Sequence, residues 1–250
     1  MNVRRAMTVA GMHARDLGRR RLALAIVILL PLVFYFSSKL QPTDPAMEER
    51  LADDPAADLW IVAAGAIGAG WSVAVAALFV MIGSRRADQS LLLAGYQPAE
   101  LFLGRVLTVL GLSALLTPLY AVIIAWQSDL DLVTLAGAIA LCVVVSVAIG
   151  VLAAALVPRD MEGVLVIVGV IGIQMTADAQ TWMPLWGSAE LIGRSAGVPD
   201  AASTGAAVLH SLVYAAVLFA VGIAVWARRV TLHRAVPLHP GVPAGALAAR

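Results

Sequence analysis

Charged residues are scarce in this sequence. Only 13% of its 250 residues are Asp, Glu, Lys or Arg, against about 25% in ordinary soluble domains. At the same time 61% of the residues are hydrophobic, and the mean hydropathy is +0.89. This balance excludes a soluble globule, which needs a charged surface, and a disordered chain, which needs low hydrophobicity.

Cysteine, lysine and histidine are also rare, and each shortage excludes a chemistry. Cys142 is the single cysteine, so a disulfide framework and a cysteine-based zinc site are excluded. Lys39, the single lysine, is followed by Leu40, so the P-loop pattern G-x-x-x-x-G-K-[ST] does not occur. We therefore expect no metal site, no cofactor, no nucleic-acid partner and no ATP binding through a P-loop in this chain.

Long apolar runs make up most of the chain. A hydrocarbon core about 30 Å thick requires roughly 20 apolar residues of helix. Six runs of suitable length contain at most one Asp, Glu, Lys or Arg residue each, and they predict an all-α polytopic membrane protein. The predicted spans are residues 22–38, 59–83, 101–126, 132–157, 164–181 and 206–227. We expect one transmembrane domain over residues 1–228 and a disordered tail over 229–250.

The arginines indicate the orientation of these spans. Lys and Arg in short loops are retained on the cytoplasmic side of a membrane. An N-terminus on that side places nearly all arginines in cytoplasmic segments, whereas the loop after the first span is acidic. We predict a multi-pass protein of a bacterial-type plasma membrane with both termini cytoplasmic. The arginine-rich start also resembles a signal peptide, but no A-x-A-like cleavage site follows it, which favours an uncleaved anchor.

Residues 1–20 have the pattern of an interfacial helix. Val3, Met7, Ala10, Ala14 and Leu17 fall at steps of four and three and form one apolar stripe, with arginines outside it. We predict a helix that lies in the membrane interface with its cations toward anionic lipid headgroups. The alternative is a basic tail without structure.

Residues 84–100 predict a compact cytoplasmic knob made of two short helical segments. Gly95 is expected to end the first segment, and Pro98 is expected to begin the second, with Glu100 in its first turn. We expect Arg85, Arg86 and Glu100 to be exposed. Such a knob indicates a docked partner, and its candidate docking residues are Arg85, Arg86, Asp88, Leu91, Leu92, Leu93, Pro98 and Glu100.

These features together resemble the type-2 ABC exporter permeases. The resemblance is carried by the interfacial helix, the six spans, the large acidic loop, and the stretch from Leu91 to Glu100 that closes on Gly104 and Arg105. It departs at Gln89 and Ser90, where the family usually has Gly-Thr. The resemblance implies that residues 84–100 couple the chain to two copies of a separate P-loop ATPase, which carries the ATP and Mg. It also implies a homo- or heterodimer of permease subunits.

The fifth predicted span has low hydrophobicity near its end, where it includes polar residues. Its apolar run is followed by Gln174 and Asp178, and a central Asp costs about 2.5–3.5 kcal/mol of insertion free energy. Residues 183–200 resemble the re-entrant outer hairpin that the family has between spans five and six, although a plain outer loop is the alternative. We place Gln174, Asp178, Phe34 and Tyr35 on the substrate path, with a helix-to-helix hydrogen bond as the alternative role of Gln174.

The resemblance predicts a permease that exports an amphipathic or hydrophobic molecule, such as a drug, a lipid or a peptide, and that has no catalytic residues. One alternative is an ATP-independent secondary transporter that uses Asp178 and His210 as proton-linked groups. Such transporters usually have internal repeats, and the sequence has no convincing one. The other alternative is an intramembrane enzyme that uses Ser113 and His210.

Overall fold

The described part of the chain is helical wherever it has regular structure. The computed structural model describes residues 2–19, 21–39, 55–126, 130–176, 180–198 and 201–234, and these ranges contain no β-strand. The helices in chain order are α1 (Val3–Arg19), α2 (Arg21–Lys39), α3 (Pro55–Gly83), α4 (Arg85–Leu93), α5 (Pro98–Trp126), α6 (Leu132–Leu156), α7 (Asp160–Thr176), α8 (Trp186–Ser195) and α9 (Thr204–Arg234). The predicted all-α class is confirmed.

Within the described residues, four helices are long and apolar enough to cross a membrane. They lie in α3, α5, α6 and α9 and match the second, third, fourth and last predicted spans. α2 contributes a shorter apolar segment, Val27–Ser38. α7 has 17 residues, which is about 25 Å at a rise of 1.5 Å per residue.

Two predicted boundaries are wrong. The fifth span was expected to continue to Thr181, but Thr181 lies in a turn, because Pro184 disfavours helix at the residue before it and the chain reverses there. The tail was expected to lack structure from residue 229, but α9 continues to Arg234. Residues 235–250 lie outside the described residues.

α3 and α6 form the centre of the bundle because their small residues allow close packing. At Gly150 of α6, a methyl group would overlap the carbonyl of Ala74 on α3. The buried surface of α6 includes Cys142 and Ser146. α2 packs against the same α3 face: Phe34 is so close to Gly68 that a Cβ atom there would lie 2.9 Å from the Cβ of Phe34.

Tyr120 fixes α2 to α5 at the proline of α2. Pro31 has no backbone N–H, so the carbonyl of Val27, four residues earlier, loses its helical donor. The hydroxyl of Tyr120 donates to that carbonyl at 2.9 Å. A buried carbonyl that the proline leaves unpaired is therefore satisfied from the neighbouring helix.

The bundle has two distinct ends. At one, which we call the α1 end, α1 packs on the start of α5, and Arg229 near the end of α9 donates to the Leu156 carbonyl at the end of α6 (2.6 Å). At the other, the α8 end, the backbone N–H of Asp131 donates to the Ser195 carbonyl of α8 (3.4 Å). Most described arginines lie at the α1 end, whereas Arg194 lies at the α8 end.

Candidate functional site

The most distinctive site is the turn between α4 and α5 at the α1 end. Gly95 ends α4 with a φ of +84°, which glycine adopts without steric cost. The N–H of Tyr96 donates to the Leu91 carbonyl (3.0 Å) and that of Gly95 to the Leu92 carbonyl (3.2 Å), which is the Schellman pattern of helix ends. Pro98 then starts α5. The predicted end at Gly95 and start at Pro98 are therefore confirmed.

Residues 90–99, which we call the loop tip, expose little charge. Leu93 is 90% exposed, and the other exposed residues of the loop tip are Ser90, Ala94, Gly95, Gln97 and Ala99. Leu91, Leu92 and Pro98 are half-buried. The loop tip thus presents one prominent leucine on a small, uncharged surface.

Asp88 and Arg105 form a buried ion pair behind the loop tip. The Arg105 guanidinium contacts the Asp88 carboxylate, and Arg105 has no exposed surface. The same guanidinium lies 5.7 Å from the ring centroid of Trp226 on α9, within the range of a cation–π contact. One arginine therefore joins α4, α5 and α9.

Glu100 is also turned inward. It is 2% exposed, so the expectation that it is exposed is wrong. Its carboxylate accepts from the backbone N–H of Gln97 (3.0 Å), as the third helical residue does in a capping box. It also accepts from the backbone N–H of Asn2 (2.7 Å). A capping carboxylate that also holds the start of α1 has no free face for a partner.

α1 is packed on this site rather than lying apart from it. The side chain of Arg5 donates to the Gly95 carbonyl (2.9 Å) and lies 5.3 Å from the Tyr96 ring centroid. At Gly104 of α5, a Cβ atom would lie 2.7 Å from the Cβ of Val9 and 2.8 Å from the Ala6 carbonyl oxygen. α1 can dock this closely only because residue 104 has no side chain.

His13 lies on the docked side of α1, near Arg105. Burial lowers the pKa of His13 below its ordinary value, and the positive charge of Arg105 lowers it further, while Asp16 acts in the opposite direction. Both main causes disfavour the charged imidazolium. The docked state of α1 therefore favours a neutral His13.

The candidate docking residues differ in their exposure to solvent. Asp88 and Glu100 are buried, whereas Leu93 is the most exposed of the candidates whose side chains are described. The backbones of Arg85 and Arg86 form the first turn of α4, and their side chains lie outside the described part of the chain. The sequence did not identify Asp88 and Glu100 as buried structural groups, because charged residues in a predicted cytoplasmic loop are ordinarily expected to face solvent.

The three candidate path residues that the structure describes do not line one common cavity. Gln174 lines a cleft of about 30 Å³ with Ile67, Leu185 and Trp186 among its neighbours, and this is room for a water or two. Phe34 instead packs on Trp71, with ring centroids 4.9 Å apart. Tyr35 is buried, and Asp178 lies outside the described residues.

The Gln174 amide has two backbone partners. Its Nε2 donates to the Val170 carbonyl (2.8 Å), and its Oε1 accepts from the N–H of Leu185 (2.8 Å). Leu185 precedes α8 and has no side-chain cap of its own. Gln174 on α7 thus provides the hydrogen-bond acceptor for the start of α8, which has no side-chain cap of its own.

His210 and Ser113, the candidate residues of the two alternative functions, contact separate parts of the bundle. His210 Nε2 lies 2.8 Å from the Thr181 carbonyl oxygen, and its ring packs between Trp186 and Tyr214, with centroid distances of 4.9 and 4.6 Å. Ser113 donates to the Val109 carbonyl (2.7 Å), a common bond of a helical serine. Among the described residues, no group of three or more His, Cys, Asp and Glu residues is arranged to hold a metal ion.

Comparisons with known proteins give no assignment. No protein-family model matches the chain, and no curated protein matches it.

Proposed function

We propose that this chain is the membrane subunit of an ATP-driven exporter, built like the type-2 ABC permeases. Two copies of a separate P-loop ATPase would bind the ATP and Mg. The observation that carries the proposal is the loop tip, an uncharged apolar surface fixed to the bundle by buried charges. A surface loop without a partner has no need of such an anchor.

The anchor suits the transmission of force. The Arg105 guanidinium contacts Asp88 and has no exposed surface, so a push on α4 reaches α5 through this buried pair. The Trp226 contact extends the same connection to α9. Movement of a docked ATPase would therefore reach two membrane helices together.

Leu93 is the proposed centre of the docking surface. Its side chain is 90% exposed, and an apolar side chain gains about 1.5–3 kcal/mol when it is fully buried against a partner. Asp88 and Glu100 are buried beneath the loop tip and hold it in position. Leu93 thus keeps the docking role expected of it, whereas Asp88 and Glu100, which were expected to be docking residues too, take a positioning role.

The proposed topology has six spans with the α1 end in the cytoplasm. α2 and α7 supply the two spans beyond the four long helices; α2, with 19 residues, reaches about 28 Å as a helix. The concentration of arginines at the α1 end supports the orientation. Both termini are then cytoplasmic, in a plasma membrane of bacterial type.

α8 is proposed to be the re-entrant outer hairpin. Its last residue, Ser195, contacts Asp131 at the start of α6, whereas Ser188 contacts Cys142, about ten residues or 15 Å further along α6. These two contacts support a helix that starts near the centre of the membrane and rises to its outer surface. Gln174 holds the buried start of this helix.

The substrate path is proposed to form between two permease subunits, as a homo- or heterodimer. The cleft beside Gln174 is too small for a drug, a lipid or a peptide. Phe34 and Gln174 both lie beside α3, and Trp71 contacts Phe34 and lies near Gly172 of α7. We therefore keep Phe34, Tyr35, Gln174 and Asp178 as candidate path residues for an amphipathic substrate.

A photo-crosslinking amino acid at position 93 tests the docking proposal in native membranes. We expect it to capture a protein with a P-loop, identified by mass spectrometry, whereas the same crosslinker at the exposed position 115 of α5 captures none. Capture of the same ATPase from both positions, or of a position-93 partner without a nucleotide-binding motif, would contradict the proposal.

A further inference from the structure

The indole N–H of Trp71 is buried without a partner in the middle of a candidate membrane span. Trp71 lies near the centre of the apolar stretch Ile61–Gly83 of α3. Its Nε1 atom is buried, and within the described part of the chain no acceptor lies in hydrogen-bond reach of it. A buried donor loses the hydrogen bond that water would give it, and hydrocarbon offers no replacement. The unpaired N–H is therefore a candidate contact for an acceptor from outside the chain.

The polar side chains on neighbouring positions of α3 and α7 already have partners. Ser72, the next residue of α3, donates to the Gly68 carbonyl (2.8 Å). Both ends of the Gln174 amide on α7 bond to backbone groups. These side chains are satisfied inside the chain, whereas the N–H of Trp71 is not.

α2 and α7 lie on either side of the indole. The Phe34 ring of α2 meets it edge-on, with the ring centroids 4.9 Å apart and an interplanar angle of 85°. At Gly172 of α7, an added Cβ atom would lie 3.8 Å from Cζ2 of Trp71, which is an ordinary van der Waals distance. Cζ2 is two bonds from Nε1, so room for a methyl group remains near the N–H edge of the ring.

The surroundings of Trp71 favour a neutral acceptor. The stretches of α2, α3 and α7 at this level contain no charged residue; they are residues 22–38, 61–83 and 163–176. A cation would find no carboxylate there, and an anion would be costly to bury in an apolar medium. The carbonyl oxygen of an ester, a ketone or an amide can accept from Nε1 without a charge, while an apolar body packs on Phe34.

We propose that Trp71 donates a hydrogen bond to the exported molecule, and that this molecule carries a neutral carbonyl oxygen on an apolar body. The proposal rests on the proposed function, which keeps Phe34, the neighbour of Trp71, as a candidate path residue. Trp71 then selects among substrates. A molecule of the same shape without the oxygen leaves the buried N–H unpaired and binds more weakly.

Nuclear magnetic resonance of the indole N–H groups tests the proposal with two probes of one shape. The chain is studied in dodecyl maltoside, a detergent without carbonyl groups, and Trp71→Phe identifies the Trp71 signal. Cyclohexanone should move this signal downfield until the site is saturated, whereas methylenecyclohexane, in which a =CH2 group replaces the oxygen, should not. The signal of Trp226, which is also buried, should move with neither probe.

The outcomes also separate the sources of the acceptor. The same shift on addition of ester-linked phosphatidylglycerol would support the carbonyl class and identify a lipid as its source. The absence of a ketone-specific shift at Trp71, or an equal shift of the Trp226 signal, would overturn the proposal. So would a downfield shift that appears on dimerisation alone, because the second subunit would then supply the acceptor.

Removal of the N–H alone provides a second test. Replacing Trp71 by benzothienylalanine, which has sulfur in place of the N–H, should leave the midpoint of thermal unfolding unchanged or raise it, because no bond inside the chain is lost. Tyr120→Phe is the matched control, since it removes a hydroxyl that donates to the Val27 carbonyl, and it should lower the midpoint. An equal fall in both variants would overturn the proposal. Neither test needs an ATPase, so failure of Trp71 as a donor is distinguishable from failure of the proposed function.

Discussion

Asp88→Ala should strongly destabilise the protein, because it leaves the Arg105 guanidinium buried without its carboxylate. Removing one partner of a buried pair costs about 3–5 kcal/mol, and 1 kcal/mol corresponds to about 2–4 °C in a chain of 150–250 residues. We therefore expect the midpoint of thermal unfolding, measured by helical circular dichroism in detergent, to fall by about 6–20 °C.

The pair of Arg159 and Glu162 is a matched control within the same chain. It is also an ion pair, but its side chains are 82% and 45% exposed, and exposed pairs contribute about 0.2–1 kcal/mol. Glu162→Ala should thus lower the midpoint by less than about 4 °C. Replacing both members of the buried pair, by Asp88→Leu with Arg105→Met, should recover most of the loss. Equal effects of Asp88→Ala and Glu162→Ala would refute the argument.

Three further predictions concern the docking of α1 and the start of α8. Gly104→Leu should undock α1 and expose it to protease, because its Cβ would overlap α1, whereas Gly111→Leu on the same helix has open space and should leave α1 protected. The pKa of His13 is lowered from 6.5 in the folded state, so docking of α1 should be fully stable above about pH 6.5 and weaken at lower pH. Protease cleavage of α1 should therefore become faster as the pH falls, and His13→Gln should remove this pH dependence. Gln174→Leu should lower the unfolding free energy by about 1–3 kcal/mol, because the start of α8 loses its acceptor, whereas a similar loss in the exposed Gln180→Leu would contradict that role.

The helical class and the local turns were predictable because they depend on neighbouring residues. An apolar run of about 20 residues indicates a membrane-spanning helix wherever it occurs in the chain, and the spacing from Gly95 to Pro98 determines where one helix ends and the next begins. The same local rules placed Glu100 in a first helical turn. Element type and the two loop boundaries therefore followed from the sequence.

The directions of the charged side chains were not predictable, because they depend on distant partners. Asp88 faces Arg105 rather than water, and Trp226 reaches that arginine from the last helix of the chain. Glu100 bonds to Asn2 across almost a hundred residues. A single sequence gives no signal for such pairings beyond an arginine placed shortly after the start of an apolar helix.

The role of Gln174 shows a similar limit. Its depth in an apolar span implies that the amide has a polar partner, because an unpaired amide facing lipid costs several kcal/mol. The sequence could not choose between a wet path and a bond to protein. The contact with Leu185 forms because the chain reverses at residues 180–185 and brings an uncapped helix start to α7.

ATP hydrolysis by affinity-purified preparations from native membranes shows whether the chain works with an ATPase that docks at Leu93. We expect ATP turnover in preparations of the wild-type chain and of Leu115→Ser, a control at an exposed leucine of α5, and none in Leu93→Ser, which removes the docking leucine. The chain produced in a cell-free system, without partners, should also show no turnover. Turnover by the cell-free chain, or undiminished turnover in the Leu93→Ser preparation, would mean that the chain does not depend on an ATPase docked at Leu93.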